Sequence, residues 1–413
     1  MRRVPAPALR VLVLALAAAA CADVGASSGS PAAETAAPAV PPPVDVTLVA
    51  RHSRVVAVRD GVAGSPVEGI VGMDGETVVT VESGALVWRD GVSGAVSSRV
   101  GLVDDVVPLV TDLDGRYVAL GPSPGELAPG TIAPGRTETT IVVLAPTGEE
   151  HRLTLAGNVV PEAFSTELGT GRAPFVFLLE YLPAAAPTHY RVRVLDPVSG
   201  TLSWPFNLRQ KTQSVDTEMA GISRDQIVAA DRGLLFTLYR GHHAGEHAAY
   251  AFVHVLGMTG GVWCLAVPAV LDLAAVPGAV AVSPDEATLY VASANGSLAA
   301  YDIDAVLDAE RDPSASVVVD GLPAGGERPA LAATDAGPVL AQGADVVWLD
   351  DGLAPVAEVR LDATVSALGT TRDGDVVAAA GDHLVVLPVA GQRDDAVVTL
   401  SPGVGRVSLI LPD

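Results

Sequence analysis

From residue 46 onward the chain is written in short Val-rich runs of four to seven residues, separated by Gly, Asp, Pro and Ser. A stripe of apolar residues recurring every 3.6 positions, the mark of an amphipathic helix, is scarce. Short apolar runs with turn residues between them predict many short strands.

The runs recur on a four-strand cycle. One landmark is a strand ending in a turn built on Asp-Gly, Pro-Asp or Arg-Asp. It falls at Asp74-Gly75, Asp114-Gly115, Gly169 to Gly171, Arg224-Asp225, Pro284-Asp285, Asp335 to Gly337 and Asp373-Gly374. Asp and Gly supply the tight turn between antiparallel neighbours. The second landmark is a strand two positions later in the cycle, at 54–60, 85–90, 140–145, 190–196, 251–257, 297–302, 345–350 and 383–388. A repeated four-strand unit of roughly 40 to 50 residues predicts an all-β chain folded as a β-propeller. One such sheet cannot cover its own two faces. Sheets packed around an axis cover each other, and closing the ring protects the edges.

The two ends of this region complement each other. Residues 407–413 read as the innermost strand of a unit, and residues 46–67 read as the remaining three strands of a unit that lacks its first. Zipped together they complete one blade. The count is then eight four-stranded blades, with seven as the alternative if a weak unit is miscounted, 159–205 being the weakest. Inserts at 121–138, 182–187 and 240–248 are expected to crowd one face and form the binding surface. Segment 303–312 predicts one or two helical turns.

The N-terminal segment follows a different pattern. Arg2, Arg3 and Arg10 precede an unbroken apolar run from Val11 to Ala20. Basic, apolar and small residues in that order predict a secretory signal over 1–20. A run of ten is too short to cross a bilayer, which needs roughly 20 apolar residues. Ala18-Ala19-Ala20-Cys21 resembles the lipobox of bacterial lipoproteins, departing from it in having Ala18 where Leu is usual. The resemblance implies lipid attachment at Cys21. The competing reading is ordinary cleavage after Ala20 or Ala22, which leaves a secreted protein. Residues 21–45 are rich in Ala, Ser, Gly and Pro and read as a tether, with 46–413 as one propeller domain. The mature chain is thus expected outside the cytoplasm, on the outer face of the cell membrane.

Charge narrows the partners. The chain carries 25 basic and 48 acidic residues, a net of −23. Such a surface repels phosphate backbones and anionic headgroups, so nucleic-acid binding and a polybasic membrane contact are excluded; the lipid alone would reach the membrane. Lys211 is the one Lys, and this Arg bias with abundant Ala, Val, Gly and Asp points to a GC-rich bacterial genome. With Cys21 lipidated, Cys264 has no disulfide partner. Its strand-like setting, Val262 to Val267, predicts a buried structural thiol.

Candidate chemistry is sparse. His242, His243 and His247, with Glu246, spell the letters of an inverted zinc-protease motif. That motif needs a helix, and here Gly241 and Gly245 interrupt it between two strand-like runs. These three His are retained as weak metal candidates, with an exposed loop as the plain reading. His254 reads as a structural residue within a strand, and Asn295-Gly296-Ser297 as a hairpin turn. No residue is assigned a catalytic role.

One region carries a further resemblance. The strands 234–241, 251–256 and 262–268, with Thr237-Leu238-Tyr239, Phe252-Val253-His254 and Cys264 before Pro268, resemble a segment of secreted and lipid-anchored propeller-like proteins of actinobacteria. Val282-Ser283-Pro284-Asp285 followed by Leu289-Tyr290-Val291-Ala292 is similar to bacterial surface-propeller repeats. The resemblance implies fold and location and supplies no activity. Together these readings predict a monomeric, non-catalytic lipoprotein whose propeller face binds an envelope protein, glycan or peptide. The alternatives are a hydrolase or lactonase with an axial metal, and an accessory factor for assembly or sensing at the membrane.

Overall fold

A computed structural model describes residues 46–412 apart from 51–53, 60–61, 64–66, 72–76, 91–92, 103–105, 124–127, 129–130, 170–172, 208–211, 214–217, 222, 241–250, 309–313, 372, 388–396 and 401–406. Residues 1–20 and 21–45, expected to be a signal and a tether, lie outside the described residues.

The strands form eight successive antiparallel units arranged as a β-propeller. The inner strands are Val407–Pro412, Val67–Val71, Val106–Thr111, Asn158–Leu168, Ser223–Ala229, Gly278–Val282, Ala330–Thr334 and Val365–Thr370. The third strands are Arg54–Arg59, Ala85–Asp90, Glu138–Leu144, His189–Leu195, Ala251–Gly257, Leu298–Asp302, Asp345–Leu349 and His383–Leu387, one for each strand of the second landmark. The first unit is assembled from both ends. Val407–Pro412 pairs antiparallel with Val46–Ala50, which pairs in turn with Arg54–Arg59 and then Val62–Ala63. This is the closure that the complementary ends predicted. By hydrogen bonding the units make seven sheets, because Arg54 and Val55 also pair with Glu68 and Val67 and join the first two units. Counted as sheets the propeller therefore has seven blades, the alternative count; eight is the number of its repeats.

Packing explains why the strands read as nearly continuous apolar runs. Among the described residues every core cluster lies between two neighbouring units. Val79, Trp88, Val118 and Leu120 join the second unit to the third, and Val143, Val159, Phe164 and Leu178 join the third to the fourth. Phe177, Leu179, Tyr190, Leu235 and Tyr239 join the fourth to the fifth. Phe236, Val253, Trp263, Val280, Leu289 and Tyr301 join the fifth to the sixth. Consecutive residues of one strand thus serve opposite interfaces: Leu235 faces one neighbour and Phe236 the other. Side chains alternate across a strand, so a sheet covered on both faces must be apolar at both parities.

Two features depart from the sequence reading. Arg224-Asp225 does not form a turn. It lies within the inner strand Ser223–Ala229, and the turn follows at Ala230 to Gly233, closed by the Gly233 N–H on the Ala230 carbonyl at 3.1 Å with Gly233 at φ 61°. The strand simply runs six residues further than the Asp suggested. The fifth unit is also wider than four strands. Phe206–Asn207 runs parallel to Gly261–Ala266, and Thr212–Gln213 pairs outside it, so a connecting segment covers that edge. The expected helical turn is present as Ile303–Leu307, capped by Asp302, whose carboxylate accepts from the Asp304 and Ala305 N–H groups. Among the described residues no helix is long and apolar enough to cross a membrane.

Phe236 is fully buried at the interface of the fifth and sixth units. Phe236→Ala is expected to lower unfolding stability by about 3–5 kcal/mol, read as a fall in urea midpoint at constant slope. A loss below about 1 kcal/mol would show that the two units do not pack through it.

Candidate functional site

The direction of the strands sorts every loop to one of two ends. In an antiparallel meander, turns between first and second and between third and fourth strands gather at one end. Connections between second and third strands, and from one unit to the next inner strand, gather at the other. All three inserts are second-to-third connections: they follow Val118–Pro122, Pro174–Leu182 and Leu234–Arg240. They therefore leave from the same end. The first two are bound to each other. The Ile132 N–H donates to the Pro187 carbonyl at 3.0 Å and the Arg136 N–H to that of Ala184 at 2.8 Å, while Asn158 Nδ2 donates to Pro134 and Ala184 carbonyls at 2.7 and 3.2 Å. Gly135 passes so close to Ala185 that a Cβ there would lie 1.9 Å from its carbonyl oxygen. The third insert spans 241–250. His242, His243 and His247 fall on it and lie outside the described residues. Among the described residues no group of three or more His, Cys, Asp or Glu is placed to hold a metal ion.

At the opposite end several tight turns have Asp as their acceptor, beside the longer connection that carries the helix Ile303–Leu307. Asp90 accepts from the Ser93 N–H at 2.6 Å, Asp196 from that of Val198 at 2.9 Å and Asp350 from that of Gly352 at 2.9 Å. These acids hold backbone and are committed to the turns.

A cavity of about 350 Å³ runs between the inner strands of the fifth to eighth units. Its wall is mostly Ala, Val, Leu and Ile, with Ser283, Glu286 and Thr370 toward the turn end and Asp225 and Arg328 at the insert end. Asp225 ties three units together. One carboxylate oxygen accepts the Val280 N–H at 2.9 Å, and the other pairs with the Arg328 guanidinium, which reaches across from the segment leading into the seventh unit. The next residue, Gln226, points the other way and donates to Glu162 at 2.7 Å and to Thr237 at 3.0 Å. Burial holds the Asp225 carboxyl above the ordinary carboxylate range, against the opposing pull of Arg328 and the Val280 N–H. Asp225 and Arg328 also line a side pocket of about 170 Å³ whose other walls are Leu238, Arg240, Leu273, Pro277 and Gly278. The pattern of turn residues hid Asp225, since Arg-Asp between apolar runs resembles a turn. The signal that could have found it is the apolar run Ile227-Val228-Ala229-Ala230, which continues past it before the next Gly.

The remaining sequence candidates fall elsewhere. Cys264 is exposed on the outer strand Gly261–Ala266, which corrects the expectation of a buried thiol. An outer strand has full cover on one face only, and Cys264 has the parity of the open one. Its thiol lies 3.8 Å from Met219 Sδ, and loss of hydration pushes its pKa up to about 12. Exposure and crowding argue oppositely for reactivity. Among the described residues no charged group favours the thiolate. His254 is buried on the third strand of the fifth unit, near the Tyr239 ring. Asn295 to Ser297 form the expected hairpin turn, with Gly296 at φ 86°. Cys21 lies outside the described residues.

A second cavity of about 250 Å³ lies at the turn end, lined by Asp112, Asp114, Arg116, Tyr117, Ser165 and Thr166 among others. Asp112 accepts the Tyr117 N–H at 2.8 Å, yet burial raises its pKa to about 6.

No protein-family model and no curated protein matches the chain. Among solved structures it is similar to BamB from Moraxella catarrhalis, at 13% identity over 84% of this chain and 94% of that one, with a TM-score of 0.43. It is also similar to the dihydro-heme d1 dehydrogenase NirN in complex with DHE, at 17% identity over 81% of this chain and 66% of that one, with a TM-score of 0.46. A third likeness is to a eukaryotic initiation factor, at 12% identity over 89% and 97% of the two chains, with a TM-score of 0.46.

Asp112 provides a pH test. A carboxyl whose folded pKa exceeds its unfolded value binds more protons when folded. Its contribution to stability is full below the unfolded value and is lost as pH rises toward the folded one. For Asp112 the loss falls between the ordinary carboxyl value of 3.8 and about 6. Asp112→Asn keeps the acceptor for Tyr117 and has no charge to desolvate. The variant is expected to gain on the wild type between about pH 4 and pH 7 in urea titrations. Equal differences at both pH values would show that Asp112 is not desolvated.

Proposed function

We propose that this chain is an extracytoplasmic lipoprotein, tethered to the outer face of the membrane through Cys21, whose propeller binds an envelope component without catalysis. The location rests on the sequence: the basic start, the ten-residue apolar run, the small residues before Cys21 and the tether behind it. The observation that carries the binding role is that all three inserts leave from one end of the propeller, the end at which Asp225 and Arg328 line the channel. A rigid ring whose first two inserts are bound to each other at one end has a distinct face to present. The acidic surface favours partners that are neutral or basic over nucleic acid and anionic lipid. On the residues quoted above, the chain groups with the lipid-anchored surface propellers of actinobacteria.

Two measurements test this reading. Intact mass and detergent-phase partitioning of the native protein should show a diacylglycerol-sized excess and a membrane-bound chain, both lost in Cys21→Ala. An unmodified chain free in the medium would replace the tether with secretion. A photo-crosslinking residue at exposed Ala186, on the second insert, should give adducts with envelope components, whereas one at exposed Ser199, on a turn of the same unit, should not. Equal labelling from both positions would remove the binding role from the insert face.

A further inference from the structure

We infer that the side pocket between Arg240 and Arg328 is a binding site for a single carboxylate carried on a small apolar group. This deepens the binding role proposed above by naming what the insert face would recognise, and it does not depend on the tether.

The inference starts from how this chain treats its arginines. Most of those described lean on a carboxylate. Arg89 and Arg99 pair with Glu82, Arg152 with Glu150, Arg232 with Asp304 and Arg360 with Asp345. Arg191 and Arg193 share Glu180 and lie 4.8 and 4.3 Å from the Trp204 ring centre. With nearly twice as many acids as bases, an acceptor is seldom far away. Arg240 is the exception at the channel mouth. Among the described residues no carboxylate pairs with it, its Nε–H is buried with no acceptor, and one Nη donates to the Ala275 carbonyl at a long 3.4 Å. A buried donor without a partner is unfavourable, and a ligand that supplies the acceptor recovers that loss.

The pocket indicates which acceptor fits. Arg240 and Arg328 bring two positive charges and Asp225 brings one negative, so among the described residues the walls hold one net positive charge in a protein that is otherwise strongly acidic. A monoanion balances it; a dianion leaves a charge uncompensated in a partly dry site. The planar edge of a guanidinium matches the two oxygens of a carboxylate. The rest of the pocket is apolar, formed by Leu238, Leu273 and Pro277. At Gly278 a Cβ would come within 2.3 Å of the Leu273 side chain and 2.7 Å of the Ala292 carbonyl, so glycine keeps Leu273 in place as a wall. A volume of about 170 Å³ suits a short branched acid or the last residue of a peptide. Asp225 is the internal competitor: it already occupies Arg328, and an incoming carboxylate shares that guanidinium with it.

Calorimetric titration of the full-length chain in detergent tests this with three probes: isovalerate, acetyl-Ala-Ala-Val with a free carboxylate, and the same peptide as its C-terminal amide. Both acids, or the peptide acid alone, should bind, and the amide should not. Binding of both makes a free acid a sufficient source; binding of the peptide alone assigns the site to chain termini. Arg240→Gln should weaken binding roughly tenfold or more, as loss of a charge-assisted contact does. Asp225→Asn should tighten it, by releasing Arg328. The opposed signs guard against misfolding, since a damaged fold would weaken binding in both variants. The inference is overturned if folded wild-type protein binds neither acid, if the amide binds as well as the acid, or if Arg240→Gln changes nothing. Crosslinking from Ala186 reports separately on the binding face, so the carboxylate site can fail while that reading stands.

Discussion

A sheet whose two faces are both apolar must be covered twice, and this requirement governs the architecture. Among the described residues the inner strands of neighbouring units are apolar on both faces. Leu234–Arg240 is buried at every position but its last, and its alternate residues join different neighbours. Each unit is thus both the cover for one neighbour and covered by the next. A row of such units would leave an apolar face bare at each end. The pairing of Val46–Ala50 with Val407–Pro412 removes both ends at once by building a unit from the two extremities.

The same geometry constrains polar groups on the inner strands. They emerge among apolar neighbours, so each needs a partner from another unit. Asp225 and Gln226 show the pattern in adjacent residues: one bonds forward to the sixth and seventh units, the other back to the fourth. Strand direction then divides the remaining labour. Turns with an Asp acceptor gather at one end, and the three inserts leave from the other. A cationic pocket at the mouth of an apolar channel is the chemical counterpart of that division.

Much of this was legible in the residues. The third strands were found because each is a compact apolar run followed by Asp or Gly, and the closing unit because its two halves were both incomplete. The fourth unit read as weak because Asn158–Leu168 is interrupted twice, between Pro161 and Ala163 and between Phe164 and Leu168, where the register shifts. Asp225 was misplaced because an acid in a strand and an acid in a turn have the same neighbours in sequence; only the register with Leu238 separates them. Cys264 was misjudged because outer strands keep an apolar composition while one of their faces is open. The Arg240–Arg328 pocket was invisible for a different reason. Its charges come from the second strand of one unit and the approach to the first strand of another, a relation that no local spacing encodes.

Closure between the first and last strands also sets an order of events. Neighbouring units can dock as soon as each is made, but Val46–Ala50 waits for a partner at the far end of the sequence. Contacts of such separation carry the largest loop-closure cost and form late. Until Val407–Pro412 arrives, the growing array carries a bare strand edge and an unfilled unit, both targets for proteases and for association with other chains. A variant unable to pair Val407–Pro412 would stay in that state, so the durability of the whole ring hangs on one pairing between distant segments.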